Sequence, residues 1–280
     1  VRLPDNGEAP DDDIPFELSA LTATNFGSEL LRARARHLAL DEIASAAIAR
    51  GVMPPKELGT AIVADTLAEI DEIDQAVSSL GVPLAGEESI SIDLSIPTGT
   101  AQPVVVHGEV TSIHRNGDDA TVVMVTFSKH RPSRLLEVAV KLAAATCAEP
   151  GTTWRAAIVS RGEKAPESCT LTLRGDTAEE RFAAAQRLLH MALEFRANAS
   201  HQPVPYLDRT SHAIWARSTP TATKDAFKRD LDYDEYAKLL WPDLDPLKDA
   251  DIFCSPQFGA KEVAERVWGT FADAVQQVAQ

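Results

Sequence analysis

Two Val/Thr-rich segments, Val104–His114 and Ala120–Ser128, are separated only by Arg115-Asn116-Gly117-Asp118, and no other feature limits the fold of this chain as strongly. β-Branched runs flanking Asn-Gly predict antiparallel strands joined by a tight hairpin, because both turn residues tolerate positive φ. Ser89–Ile96 alternates, with Ile90, Ile92, Leu94 and Ile96 on one face, and predicts a third strand. Trp154–Ser160 and Cys169–Leu173 predict two more. Helices are predicted over 25–50, closed by Gly51 and Pro54-Pro55, and over 57–80, where apolar residues recur near i, i+4 and i+7. Others are predicted from Ser133 to about Cys147 and over 177–197, the latter capped by Asp176-Thr177-Ala178-Glu179. Pro203, Pro205 and Pro220 predict an irregular stretch, and Asp232–Leu240 and Ala260–Val278 two final helices. The fold class is α/β (mixed α+β), a mixed sheet flanked by helices.

Residues 1–13 hold five acids against Arg2, show no apolar periodicity and read as a solvated linker. Residues 14–280 read as one domain, with a core over about 57–197 and a helical extension over 198–280. The opening Val1-Arg2-Leu3-Pro4, without Met, fits a processed chain or a piece of a longer polypeptide.

Charge and cysteine usage exclude several classes. With 27 basic and 42 acidic residues the net charge is −15, so a broad grip on nucleic acid is excluded and any contact must be local or borrowed from a partner. No run approaches the ~20 apolar residues of a membrane-spanning helix. Cys147, Cys169 and Cys254 are odd in number and far apart, which excludes a disulfide framework and fits a reducing cytosol. The chain has no P-loop, no Gly-x-Ser-x-Gly and no His-Glu-x-x-His. His107 and His114 share a strand, and their spacing of seven predicts opposite faces, wrong for a shared metal.

One catalytic constellation nearly forms. Two-metal-type nucleases on such sheets set a carboxylate on one hairpin strand and (Asp/Glu)-x-Lys on the next, so that acids hold Mg²⁺ while the Lys aligns water or stabilises charge. Here Thr111 and Thr126 stand at the acid positions and Ser128 at the Lys position. A register shift does not restore the motif, because none of the nine lysines has Asp or Glu two residues before it. Glu109 is left as a lone carboxylate, too little for Mg²⁺.

Gly51-Val52-Met53-Pro54-Pro55-Lys56-Glu57-Leu58-Gly59 resembles the G-x-(L/M)-P-P-G-x-x-G signature of the RecC family, gamma subunits of exodeoxyribonuclease V (RecBCD). Further landmarks agree in order: Pro15-Phe16-Glu17-Leu18 before it, then the Gly108 strand and Phe127-Ser128-Lys129-His130-Arg131-Pro132-Ser133. Glu194-Phe195-Arg196, Pro203-Val204-Pro205 and Ala213-Ile214-Trp215 follow. Lys56 departs from the signature, which has Gly there. The likeness covers nearly the whole chain, but only the C-terminal domain of a much longer subunit. It implies a restriction-endonuclease-like domain that is catalytically degenerate, docks the RecD and RecB subunits, and serves double-strand-break repair and recombination. It also implies that Mg²⁺ and ATP belong to the partner subunits, that DNA is met through the complex, and that the location is bacterial cytoplasm, associated with the nucleoid. The other readings of the residues are an active metal-dependent nuclease of the PD-(D/E)xK type and an unrelated small-molecule enzyme on a similar sheet.

Lys129, Arg131 and Arg134, with His130 between and Lys141 beyond, form the clearest basic patch. They read as a contact for DNA phosphates or an acidic subunit, or as ordinary solvated cations. Arg32, Arg34 and Arg36 alternate and so fan around a helix. The nine acids from Glu57 to Leu94, with no Lys or Arg among them, read as a solvated face or as a face for a basic partner. Trp215, Tyr233, Tyr236 and Trp241 read as interface anchors or as caps of a small local core.

Overall fold

The computed structural model describes residues 18–86, 88–97, 103–201, 203–240 and 259–279. The predicted linker at 1–13, Pro15-Phe16-Glu17, Trp241 and Cys254 lie outside these residues. The described residues pack as two compact units, one over 18–75 with Thr126–Ser128 and the other drawn from 76–125 and 129–279.

The first unit is built on three helices, α1 (Ala20–Ala35), α2 (Leu40–Ala49) and the greater part of α3 (Lys56–Ser79). The single helix predicted over 25–50 is two, because His37 takes a left-handed φ of 56°. Its N–H donates to the Arg34 carbonyl and that of Leu38 to the Ala33 carbonyl (both 3.0 Å), a Schellman closure in which histidine fills the usual glycine seat. Helix α2 ends the same way at Gly51, φ 71°, with Val52 N–H donating to Ala47 (3.1 Å). Arg34 clamps α1 to α3, donating through Nε to Asp74 and through Nη2 to Asp71 (both 3.0 Å). Two of the acids in the Lys-free run are therefore structural. Gly27 clears the space filled by buried Phe127, since a Cβ there would stand 2.1 Å from the ring.

The second unit holds a six-stranded sheet in the order β1 (Glu88–Ile96), β2 (Val104–Asn116), β3 (Asp119–Lys129), β4 (Thr153–Arg161), β5 (Glu167–Leu173), β6 (Val275–Ala279), with β3 passing into the first unit at Thr126–Ser128. Pairs β1–β2, β2–β3, β4–β5 and β5–β6 are antiparallel. Thr153 N–H donates to the Asp118 carbonyl (3.1 Å) and Arg155 Nε to Thr121 Oγ1 (2.7 Å). The start of β4 thus lies beside the turn and first residues of β3, so β3 and β4 are parallel and α4 (Pro132–Ala148) is their crossover. Leu135, Val138, Ala139 and Leu142 of α4 lie in one core with Ile92, Val110, Ile158 and Leu171 of the sheet. Leu188 of α5 (Ala178–Ala199) and Trp268 of α9 (Ala260–Ala274) complete it. Helix α5 opens with a capping box: Thr177 accepts from Glu180 N–H (3.2 Å), and the Glu180 carboxylate accepts from Thr177 N–H (3.2 Å).

Three expectations change here. The stretch marked by prolines contains α6 (Asp208–Trp215) and α7 (Pro220–Tyr233), because Pro220 starts a helix instead of breaking one. The helix predicted over Asp232–Leu240 divides at Asp234, whose carboxylate accepts from Ala237 N–H (2.9 Å) and caps α8 (Glu235–Leu240). The helix predicted to reach Val278 stops at Ala274, and Val275–Ala279 becomes strand β6. Arg174 holds that switch by donating from Nε to the carbonyls of Ala272 (2.8 Å) and Val275 (3.1 Å).

Candidate functional site

The hairpin that governs the fold carries the candidate catalytic positions. Its turn is tight as predicted, with Asn116 facing Asp119, but the turn pair is Gly117-Asp118 and only Gly117 has positive φ (63°). On β2 the pairing with β1 slips: Glu88 faces Ile113 while Ile90 faces Val110, so β2 carries one extra residue. The bulge centres on Ser112, φ 61°. Gly86 packs against it so closely that a Cβ would stand 2.2 Å from the Ser112 carbonyl carbon.

This bulge reverses the face parity of the strand, and both Val110 and Ile113 are buried although three residues apart. Parity therefore puts His107 and His114 on one face, against the expectation from their spacing. They remain about 20 Å apart along the strand at ~3.3 Å per residue, too far for a shared ion. His107 instead sits beside Asp93 on β1, Nδ1 to Oδ1 3.2 Å, with both side chains exposed. Thr111 and Glu109 are also exposed.

On β3, Thr126 and Ser128 are half-buried and share a face, as residues two apart on a strand must. Their hydroxyls hydrogen-bond to each other (Oγ1 to Oγ, 2.9 Å), and Ser128 N–H donates to Thr126 Oγ1 (3.2 Å). The pair satisfies itself, as two neutral donor–acceptor groups can and an acid–lysine pair aimed at a metal would not.

The predicted basic residues are each engaged nearby. Lys129 Nζ meets Glu163 (3.2 Å), the Arg131 guanidinium lies over the Tyr233 ring (5.5 Å to the centroid), and Arg134 meets Glu137 (2.8 Å). Lys141 shares Glu137 (3.0 Å). Burial works against the Glu137 charge, but hydrogen bonds from Lys141 and Arg134 outweigh it and hold the carboxyl below its ordinary pKa. Three of these four cations thus meet a carboxylate, two of them sharing Glu137, and Arg131 rests on an aromatic ring. Among the predicted aromatic anchors, Trp215 packs with His212 and Trp268, whereas Tyr233 and Tyr236 are exposed. Burial pushes the thiols of Cys147 and Cys169 up to about 11, so neither is a nucleophile near neutral pH.

Two cavities are invisible to local sequence pattern. One, about 560 Å³, is apolar and lies among α4, α5 and α8, lined by Leu136, Val140, Leu188, Phe195 and Tyr236, with Arg196 at its edge. The other, about 680 Å³, lies between α1 and α2 and carries Arg32, Arg36 and Arg50. Each joins residues from separate helices, which no single stretch of sequence can announce.

The glycine and proline signature at 51–59 has a structural account. Gly51 closes α2 in a left-handed conformation, Lys56 enters α3 with φ 59°, and a Cβ on Gly59 would stand 2.1 Å from the Pro54 carbonyl oxygen. The sequence profile of the RecC C-terminal domain matches residues 1–219. The chain belongs to the RecC C-terminal domain family. Relatives include the RecBCD enzyme subunit RecC of Mycobacterium tuberculosis strains CDC 1551 / Oshkosh and ATCC 25618 / H37Rv, each 26% identical over 161 residues. That alignment covers 58% of this chain and 14% of each relative, so the match is to a small part of a long subunit. Later landmarks of the RecC resemblance also serve packing. Glu194 pairs with Arg266 of α9, Phe195 lies under the same guanidinium (5.7 Å), and Trp215 packs on Trp268.

Proposed function

We propose that this chain is a non-catalytic, restriction-endonuclease-like domain of a RecC-type subunit, acting as an assembly scaffold for RecD and RecB in the repair and recombination of broken DNA. The observation that carries this reading is the Thr126–Ser128 hydroxyl pair, 2.9 Å apart, in the two strand positions where the nuclease motif needs an acid and a lysine. Neutral hydroxyls bonded to each other give a divalent cation neither charge nor a lysine to align its water. Catalysis, with its Mg²⁺ and ATP, then resides in partner subunits, and the domain works with them in the bacterial cytoplasm at the nucleoid. Membership of the RecC C-terminal domain family supports the choice of partners. In this reading about 57–197 form the nuclease-like core, which α9 and β6 complete, and α6, α7 and α8 are the helical extension.

Co-purification of the chain with a RecD-type subunit tests the scaffold role. Retention of the subunit at micromolar concentration is the expected result. Absence of binding at that concentration removes the role.

A further inference from the structure

Near the start of α4, Lys129, Arg134 and Lys141 each meet a carboxylate and Arg131 lies over Tyr233, whereas Arg32 and Arg36 of the α1–α2 cleft meet no acid among the described residues. Arg32 and Arg36 lie one turn apart at the end of α1, Arg50 closes α2, and all three line the same cleft of about 680 Å³. Glu29 is the one acid among its lining residues, which leaves a local charge of 3 − 1 = +2 within a chain of −15. Arg50 reaches Glu29 only at 3.8 Å. Among the described residues no carboxylate lies within ion-pair distance of Arg32 or Arg36. Arg34, between them in sequence, turns the other way and is used up by Asp71 and Asp74. The alternate arginines are thereby sorted, one to hold α3 and two to face solvent.

Backbone contacts also preset these side chains. Arg32 Nε donates to the Ser28 carbonyl (3.0 Å) and Arg50 Nε to the Ala46 carbonyl (3.3 Å), each one turn back on its own helix. A guanidinium held by its Nε still offers Nη donors to an oxyanion, with less side-chain entropy to lose.

We infer that the α1–α2 cleft binds the phosphodiester backbone of a nucleic acid, giving this domain a DNA contact of its own beyond its scaffold role. The lining favours phosphate over an acidic protein segment. Protein interfaces anchor most often on exposed aromatic side chains in dry pockets, whereas phosphate contacts need only cations and small polar donors. Phe26, the one aromatic of the lining, is buried beneath the cleft; Leu38 is exposed and Ile43 and Val52 are half-buried at its wall, while Asn25 and Thr22 add polar groups beside the arginines.

Fluorescence anisotropy with labelled oligonucleotides of about 16 nucleotides, single-stranded in one arm and duplex in the other, tests this directly. Titrations of the chain between about 50 and about 200 mM salt give affinity and salt slope. Arg36→Gln, and Arg32→Gln with Arg50→Gln, are expected to weaken binding about tenfold and to lower the salt slope by about one for each phosphate left without its arginine. Lys129→Gln and Arg134→Gln, at cations already paired with acids, are expected to change little. These arginines are exposed, and unchanged circular dichroism confirms the fold of each variant. Binding that survives the cleft substitutions, or is lost only in the Lys129 and Arg134 variants, overturns the inference. So does equal displacement of the oligonucleotide by polyglutamate, which assigns the cleft to an acidic protein segment. RecD-type subunit retention is scored separately, so failure of the scaffold role and failure of the cleft are told apart.

Discussion

Gly59 packs against the Pro54 carbonyl so closely that a Cβ would stand 2.1 Å from its oxygen. The oxygen belongs to the backbone of a double-proline turn and has little freedom to retreat. Gly59→Ala is therefore expected to cost about 1–3 kcal/mol, read as a lower urea midpoint. An unchanged midpoint contradicts the close approach.

Lys56 presents the opposite case. It holds φ 59° where the family signature has glycine, a conformation that costs an L-residue about 1–2 kcal/mol. Lys56→Gly removes that cost and adds unfolded-state entropy, for a net gain of about 0.5–1 kcal/mol. A higher melting temperature is expected, and a lower one refutes the assignment of strain.

Thr177 caps α5 through Glu180 N–H. Thr177→Ala is expected to cost about 1 kcal/mol in chemical denaturation, while Thr177→Ser retains most of the stability. Equal loss in both variants contradicts the role of the hydroxyl.

Asp208 links stability to pH. Burial pushes its carboxyl pKa up, opposed by the hydrogen bond from Ser133 Oγ (2.9 Å) and reinforced by nearby Asp230. Its Oδ1 is buried without a hydrogen-bond partner. A folded-state pKa above the unfolded value means that the folded form binds the extra proton, so this group's contribution improves as pH falls through the folded pKa and is lost as pH rises through it. Asp208→Asn keeps an acceptor for Ser133 and removes the charge. The variant is expected to melt higher than the parent near neutral pH, with the difference shrinking in acid. A lower melting temperature at neutral pH contradicts this account.

Much of the fold is legible from local pattern, and the exceptions share a cause. Alternation in Ile90–Ile96 and the hairpin glycine can be read because strand period and turn chemistry are local. The β6 strand cannot, since Val275-Gln276-Gln277-Val278 continues a helical pattern and becomes a strand by pairing with Leu173–Thr170 of β5. The helix break at His37 lacks the glycine that would announce it, as does the bulge at Ser112. The shared face of Thr126 and Ser128 is legible because the i, i+2 spacing on a strand alone sets it. The basic residues are not so readable. Glu163, which meets Lys129, lies 34 residues away in sequence, and Arg50 joins Arg32 and Arg36 only after two helix caps fold α2 back beside α1.

Incubation of the chain with linear DNA and Mg²⁺ or Mn²⁺, alongside Glu109→Ala, measures the central claim. Intact DNA is expected with both proteins, because Thr126 and Ser128 bring hydroxyls where the nuclease motif needs an acid and a lysine, and Glu109 by itself is too little for Mg²⁺. Cleavage by the parent chain that is abolished in Glu109→Ala would show a working nuclease and contradict the account.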